Sequence, residues 1–407
     1  MFDIEKIRAQ FPILEREVYG KRLTYLDSGA TAQKPLCVVE KMEELLLNDN
    51  ANIHRGVHIL SEEMTARYEA AREVVRSFIG AAYREEVVFT SGATMSLNLV
   101  ASSWCENNLK EGDNVVISHI EHHSNIVPWQ LAAERKGAEL RVIPVADDGS
   151  LELDMLDDLI DERTKVVAVT QASNTLGTKP DLARIIAKAH AVGAVAVVDG
   201  CQGVVHGGVD VAALDCDFYA FSGHKLYGPT GIGVLYGKRE LLDAMPPYMG
   251  GGDMVDKVTF TKTTYAPVPL KFEAGTSNFI GAIGLAEAIK FLQSLSAEEI
   301  EQHEKALLDY ATVQLLQVEG LRIYGTTADK APIISFNVEG CDHYDIGMIL
   351  DKLGVAVRTG HHCAEPVMAR YGTNGVVRAS IALYTSKEDI DLFIKALKRA
   401  VSMLKNF

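Results

Sequence analysis

Lys225 stands one step past a histidine in Ser222-Gly223-His224-Lys225-Leu226-Tyr227-Gly228-Pro229, a turn of small residues that suits a lysine used as a covalent anchor. Upstream, Asp199 closes the apolar run Ala194-Val195-Ala196-Val197-Val198, which reads as a buried strand of a parallel sheet. Its carboxylate therefore falls at a strand's C-terminal end, where open α/β sheets bind ligands. An amine and a carboxylate so placed suit pyridoxal 5'-phosphate (PLP), whose aldehyde needs the amine and whose ring nitrogen needs a negative partner. A surface lysine and a helix-capping aspartate are the plain alternative, and the residues around the pair argue against it.

Thr90-Ser91-Gly92-Ala93-Thr94 follows a strand and opens a helix, so its backbone N–H groups and the helix's positive end can receive a phosphate. Ala93 and Thr94 would form that cup, and Ser222 and His224 can add side-chain donors. His119-Ile120-Glu121-His122-His123 does not have a zincin spacing, and no helix puts residues 119, 121 and 122 on one face, so no metal site is expected. Instead His122, after the strand Val115-Val116-Ile117, is placed to lie over a cofactor ring with its imidazole available for proton transfer. Asn174 and Gln202 fall at strand ends and could bond the ring's phenolic oxygen. Arg378 is a charge in the apolar strand Val376-Val377-Arg378-Ala379-Ser380, and its planar fork suits an α-carboxylate, with a buried ion pair as the alternative.

A second constellation is Arg358-Thr359-Gly360-His361-His362-Cys363-Ala364, which presents one cysteine beside two histidines and near an arginine. Positive neighbours favour the thiolate, the nucleophilic form. A polar loop is a poor place to bury an inert cysteine.

These residues need elements to hold them. From about Glu86 to Tyr236 short apolar strands (87–89, 115–117, 166–169, 194–198, 218–221 and 232–235) alternate with helical stretches, which predicts a mostly parallel sheet flanked by helices. Residues 249–280, with Gly250-Gly251-Gly252 at the front, read as a long loop region near a site. A helical stretch from about Ile283 to Leu316, strands at 333–336 and 355–357, and a last helix after Ser386 then predict a smaller α+β domain. The expected class is α/β, with a large domain over 25–285 and a small one, built from 1–24 and 286–407, carrying the cysteine loop.

The whole chain bounds the possibilities further. Its 407 residues, 47% of them hydrophobic, can bury a large core. A formal charge of −15 argues against nucleic acid or an anionic membrane as partner, since both need clustered Lys and Arg. The first residues interrupt every apolar stretch with charge, and nowhere do about 18 apolar residues run together. Six cysteines, at 37, 105, 201, 216, 341 and 363, are scattered without a CxxC pair, so a reduced, cytoplasmic protein is expected.

Taken together, the chain resembles the SufS-type (group II) cysteine desulfurases, within the class V aminotransferases of PLP fold type I. The resemblance runs from Leu26-Asp27-Ser28-Gly29-Ala30-Thr31 and His54-Arg55-Gly56 to Arg378, and its most specific pieces are the segments around Lys225 and Cys363. It implies conversion of L-cysteine to L-alanine, with the sulfur moved to Cys363 as a persulfide and on to an acceptor protein of the SufE or SufU type, for iron–sulfur cluster assembly. It also implies that Lys225 holds the cofactor covalently, Asp199 pairs its ring nitrogen, His122 stacks on the ring, and Asn174, Gln202, Ala93, Thr94, Ser222 and His224 complete the shell. Arg378, with Arg358, Asn174 and His54, would bind substrate. A homodimer is implied, with Thr276, in Glu273-Ala274-Gly275-Thr276, reaching the neighbour's cofactor phosphate. Related activities on the same scaffold are the alternatives: L-selenocysteine lyase, desulfinase or aminotransferase. A non-catalytic sulfur carrier would use Cys363 alone and leave Lys225 and Asp199 unexplained. Three positions depart from the group's pattern: Met95 where glutamate is usual, Ser277 for proline, and Glu365 where Met or Gln is commoner.

Overall fold

The computed structural model describes residues 2–405. Seven strands form the main sheet: β1 (Val87–Thr90), β2 (Asn114–Ser118), β3 (Glu139–Ile143), β4 (Thr164–Thr170), β5 (Val195–Asp199), β6 (Phe218–Ser222) and β7 (Gly233–Gly237), in the order β1-β7-β6-β5-β4-β2-β3. Pairing is parallel from β3 through to β6, and β7 lies antiparallel to both β6 and β1.

Every residue of β1, β2, β5, β6 and β7 is buried, which is why these segments read as apolar runs rather than alternating ones. Alternate side chains still go to opposite faces. Phe89, Val116, Val167, Val198, Phe221 and Val234 pack on one side with the helices Ile59–Phe78 and Phe279–Gln293, while Val88, Val115, Ala168, Val197, Ala220 and Leu235 pack on the other with Leu97, Trp104 and Trp129. The edge strand β3 escapes the sequence pattern because its Glu-Leu-Arg-Val-Ile is only partly covered.

The register puts the polar residues that end these strands in one row. Asp199 pairs with Thr170 on one side and Ala220 on the other, and Gly233 sits between Ser222 and Thr90. Gly233 must be glycine, because a Cβ there would stand 2.4 Å from Gly92 Cα. That close approach lets the turn after β1 fold down over the sheet end.

A second sheet, β8 (Leu321–Tyr324), β9 (Ile333–Val338), β10 (Arg358–Gly360) and β11 (Val376–Ser380), is antiparallel with order β8-β9-β11-β10 and carries the cysteine loop just after β10. Its core is built with the helices Ala297–Leu315, His343–Lys352 and Lys387–Lys405. The N-terminal residues Ile7, Phe11 and Leu14 pack with Tyr227, Ala288 and Leu383, tying the start of the chain to both sheets' surroundings.

Two expectations about elements change. The single helical stretch 283–316 is two helices, Phe279–Gln293 and Ala297–Leu315, meeting at 82°. Ser296 caps the second by accepting from Glu299 N–H at 3.2 Å. The expected loop over 249–280 contains a hairpin, Val255–Val258 with Thr263–Tyr265, whose tip exposes Phe260. Among the described residues, no single helix is long and apolar enough to cross a membrane, and no group of three or more His, Cys, Asp or Glu could hold a metal ion.

Candidate active site

A cavity of about 180 Å³ opens at the C-terminal ends of the parallel strands. Lys225, Asp199, His122, Asn174, Ala93, Thr94, Ser222, His224, Arg358, Arg378 and Cys363 all line it, although they come from segments as distant in sequence as Ala93 and Arg378. Among the described residues the Lys225 amine has neither a hydrogen bond nor an ion pair, so it stands unpartnered in the cavity wall. The backbone in front of it is held hard: the carbonyl oxygen of His224 accepts from Ala32 N–H at 3.1 Å, Thr31 Oγ1 at 3.2 Å and Lys34 Nζ at 2.9 Å. Burial lowers the Lys34 ammonium to about 8.

Asp199 is buried, and one carboxylate oxygen accepts from Cys201 N–H at 3.0 Å, while among the described residues no cation forms an ion pair with it. Ala93, Thr94 and Ser222, the residues expected to receive a phosphate, lie together in the cavity wall. The helix beginning at Ala93 runs through a π turn, Val100–Trp104, to Asn108, and Ala93 N–H donates to Ser222 Oγ at 2.9 Å. Met95, in place of the usual glutamate, accepts from Ser91 N–H and Oγ through its sulfur, each at 3.4 Å.

His122 follows β2 on a turn braced by a buried polar network. Glu121 is fully buried, shares a short bond with Ser118, and accepts from Asn125 Nδ2 at 2.7 Å and Thr170 N–H at 2.9 Å; Trp129 in turn donates to Asn125 Oδ1 at 2.9 Å. Burial raises the Glu121 carboxyl to about 8. The His122 imidazole moves the other way, to about 4, because burial and then the neighbouring Lys225 charge disfavour imidazolium. Its Nδ1 accepts from Ser124 N–H at 3.1 Å, so the ring is neutral with its proton on Nε2.

Arg378 is buried in β11; its Nη1 donates to Asn174 O at 2.9 Å and its Nη2 to Asp27 Oδ1 at 3.3 Å, while Nε has no partner. Arg358 Nε reaches the other oxygen of Asp27 at 3.3 Å. Cys363 is exposed at the cavity mouth. Of its two flanking histidines, His362 is held neutral, lowered to about 3 by burial and by Arg378, and the positive charge near the thiol comes from the arginines.

Three expected residues lie outside this cavity. Gln202 is buried, and its Nε2 donates to Gly29 O at 2.9 Å, which braces the 26–31 turn. Thr276 is exposed, and His54 lines a different cavity with Arg55, Asp253 and Tyr265. Asn174 does line the site, yet its Nδ2 is used on His362 O at 2.8 Å. Sequence reasoning passed over Asp27, Ser124 and Glu121 as separate functional residues, since isolated polar residues in loops carry no periodic signal.

Residues 24–393 match the family described as aminotransferase class-V. The chain belongs to that family. Class-V relatives include a protein of Dickeya dadantii named cysteine desulfurase, 50% identical over 99% of this chain and 98% of its own length. One from Enterobacter with the same name is 51% identical over 99% of each. Among solved structures, the cysteine desulfurase CsdA of Escherichia coli is 42% identical with a TM-score of 0.92 over 99% of both chains. An apo cysteine desulfurase of Thermococcus onnurineus is 39% identical with a TM-score of 0.93 over 99% of this chain and 98% of that one. The fold is therefore PLP fold type I, and PLP is the cofactor of class-V enzymes of this kind. The residues present fit it: an unpartnered lysine, an uncompensated buried aspartate and a cup of backbone N–H groups line one cavity.

Proposed function

We propose that the protein is a PLP-dependent cysteine desulfurase, and the observation that carries this is an exposed thiol, Cys363, at the mouth of the cavity that Lys225 and Asp199 line. Bound PLP supplies a conjugated, protonated ring that accepts the electron pair left at the substrate's Cα when its proton leaves. Lys225 would hold the cofactor's aldehyde carbon, and its amine is the base placed to take the substrate's Cα proton. Asp199 keeps the ring nitrogen protonated, and Ala93, Thr94, Ser222 and His224 hold the phosphate. Neutral His122 would hold one face of the cofactor's ring, and its Nε2–H is left as a donor.

Arg378 takes the α-carboxylate of L-cysteine, and Arg358 adds charge at the rim. The thiolate of Cys363 then attacks the substrate sulfur, so that an S–S bond forms as the substrate's Cβ–S bond breaks. The sum balances without an outside oxidant: enzyme thiol plus L-cysteine gives enzyme persulfide plus L-alanine. A thiol acceptor of the SufE or SufU type would carry the sulfur onward, with iron–sulfur cluster assembly as the destination. L-selenocysteine fits the same pocket chemistry. A reduced, cytoplasmic setting suits the exposed thiol.

The test is release of alanine and sulfide from L-cysteine by purified holoprotein with a thiol reductant. Equal amounts of both are expected, with Cys363→Ala keeping the visible cofactor band but losing both products. A fully active Cys363→Ala protein would sink the proposal. Dependence on an α-keto acid would point instead to aminotransferase chemistry.

A further inference from the structure

His362 and Cys363 hold left-handed backbone in succession, φ 53° and 54°. Residues with a Cβ disfavour this region, so contacts from outside the loop must keep it there. Those contacts converge from the segment that carries His122. His123 N–H donates to Cys363 O at 2.7 Å, and His123 Nε2 accepts from Glu365 N–H at 3.2 Å. His119 adds a bond from its Nε2 to Pro366 O at 3.2 Å. Glu365 opens the helix Glu365–Arg370, so its N–H has no acceptor within that helix, and an imidazole from another element supplies one. His123 therefore grips the chain on both sides of the thiol, although it lines neither the cavity nor any step of the reaction above.

We propose that His123 is a positioning residue for sulfur transfer: its Nε2 lone pair, by capping Glu365 N–H, fixes the Cys363 thiol where it can meet the substrate sulfur. The inference rests on the reading that Cys363 accepts that sulfur. Attack on sulfur needs close alignment of the reacting atoms, and a misplacement on the order of an ångström costs up to about a hundredfold in rate. Steps that do not involve Cys363, namely cofactor anchoring and substrate binding, are independent of the grip.

The experiment is single-turnover alanine formation from saturating L-cysteine by holoenzyme variants, followed together with the visible band and with hydrogen exchange over residues 362–366. His123→Ala should slow alanine formation about tenfold or more, leave the band unchanged, and speed exchange at Glu365 N–H. Glutamine can bring its amide oxygen to the position of Nε2, whereas asparagine reaches only as far as Nδ1. His123→Gln should therefore recover most of the rate and His123→Asn should not. Equal rates in the Gln and Asn variants, or wild-type rate and exchange in His123→Ala, would overturn the inference. Alanine formed at full rate by Cys363→Ala holoenzyme would instead overturn the reading beneath it.

Discussion

Arg378 commits Nη1 to the carbonyl of Asn174 and Nη2 to Asp27, and keeps Nε without a partner in a buried wall of the cavity. Desolvation lowers its pKa, yet guanidinium stays charged in any protein environment, so it presents a fixed cation to an entering carboxylate. Replacement by lysine keeps the charge and removes the fork. Arg378→Lys should raise KM for L-cysteine about ten- to a hundredfold, while the cofactor's visible band stays in place; an unchanged KM in steady-state kinetics would remove Arg378 from substrate binding. This residue was legible in the sequence because a charge interrupts an apolar strand. Asp27, which both arginines contact, was not, since a lone aspartate before Ser28-Gly29 looks like any turn.

The elements followed from sequence wherever burial was complete. The strands β1, β2, β4, β5, β6 and β7 were readable because both their faces are covered, and β3 was not because its exposed edge breaks the pattern. The break between the helices at 293 and 297 was signalled by Ser296 followed by Glu299, a capping pattern overridden by the apolar period on either side. The Glu121 network joins β2, β4 and the helix after His122, and it belongs to this scale because it fixes a turn and not a reaction. A carboxyl held neutral by burial can share its proton with Ser118 and still accept from Thr170 N–H and Asn125 Nδ2. A glutamine cannot, since one way round its NH₂ meets Thr170 N–H and the other way it meets the Asn125 amide. Glu121→Gln should therefore cost about 1–3 kcal/mol in urea unfolding, and a variant as stable as wild type would show that the network does not constrain the turn.

At the scale of the molecule, the cavity gathers eleven of the expected residues within one chain and leaves Gln202, Thr276 and His54 outside it. Thr276 is anchored from behind: Glu273, three residues before it, accepts from buried Arg72 at 2.6 and 3.0 Å, from Tyr68 OH at 2.8 Å and from Phe89 N–H at 2.8 Å. A rigid base under an exposed threonine suits a residue presented outward, and a closed dimer with a two-fold axis would put it in the second site as that copy's Thr276 enters the first. Complementation separates the two arrangements. Heterodimers of a Lys225→Ala chain with a Thr276→Ala chain, isolated through two different tags, contain one site with both residues intact if Thr276 acts across the interface. Their specific activity should then rise to about half that of the wild-type dimer, well above either parent. If Thr276 serves its own chain's cavity, no site is intact and the heterodimer can do no better than its Thr276→Ala subunit allows, and if Thr276→Ala alone is fully active the residue has no part in either site. The same pairing with His54→Ala applies the test to another residue that a single chain leaves outside its own cavity.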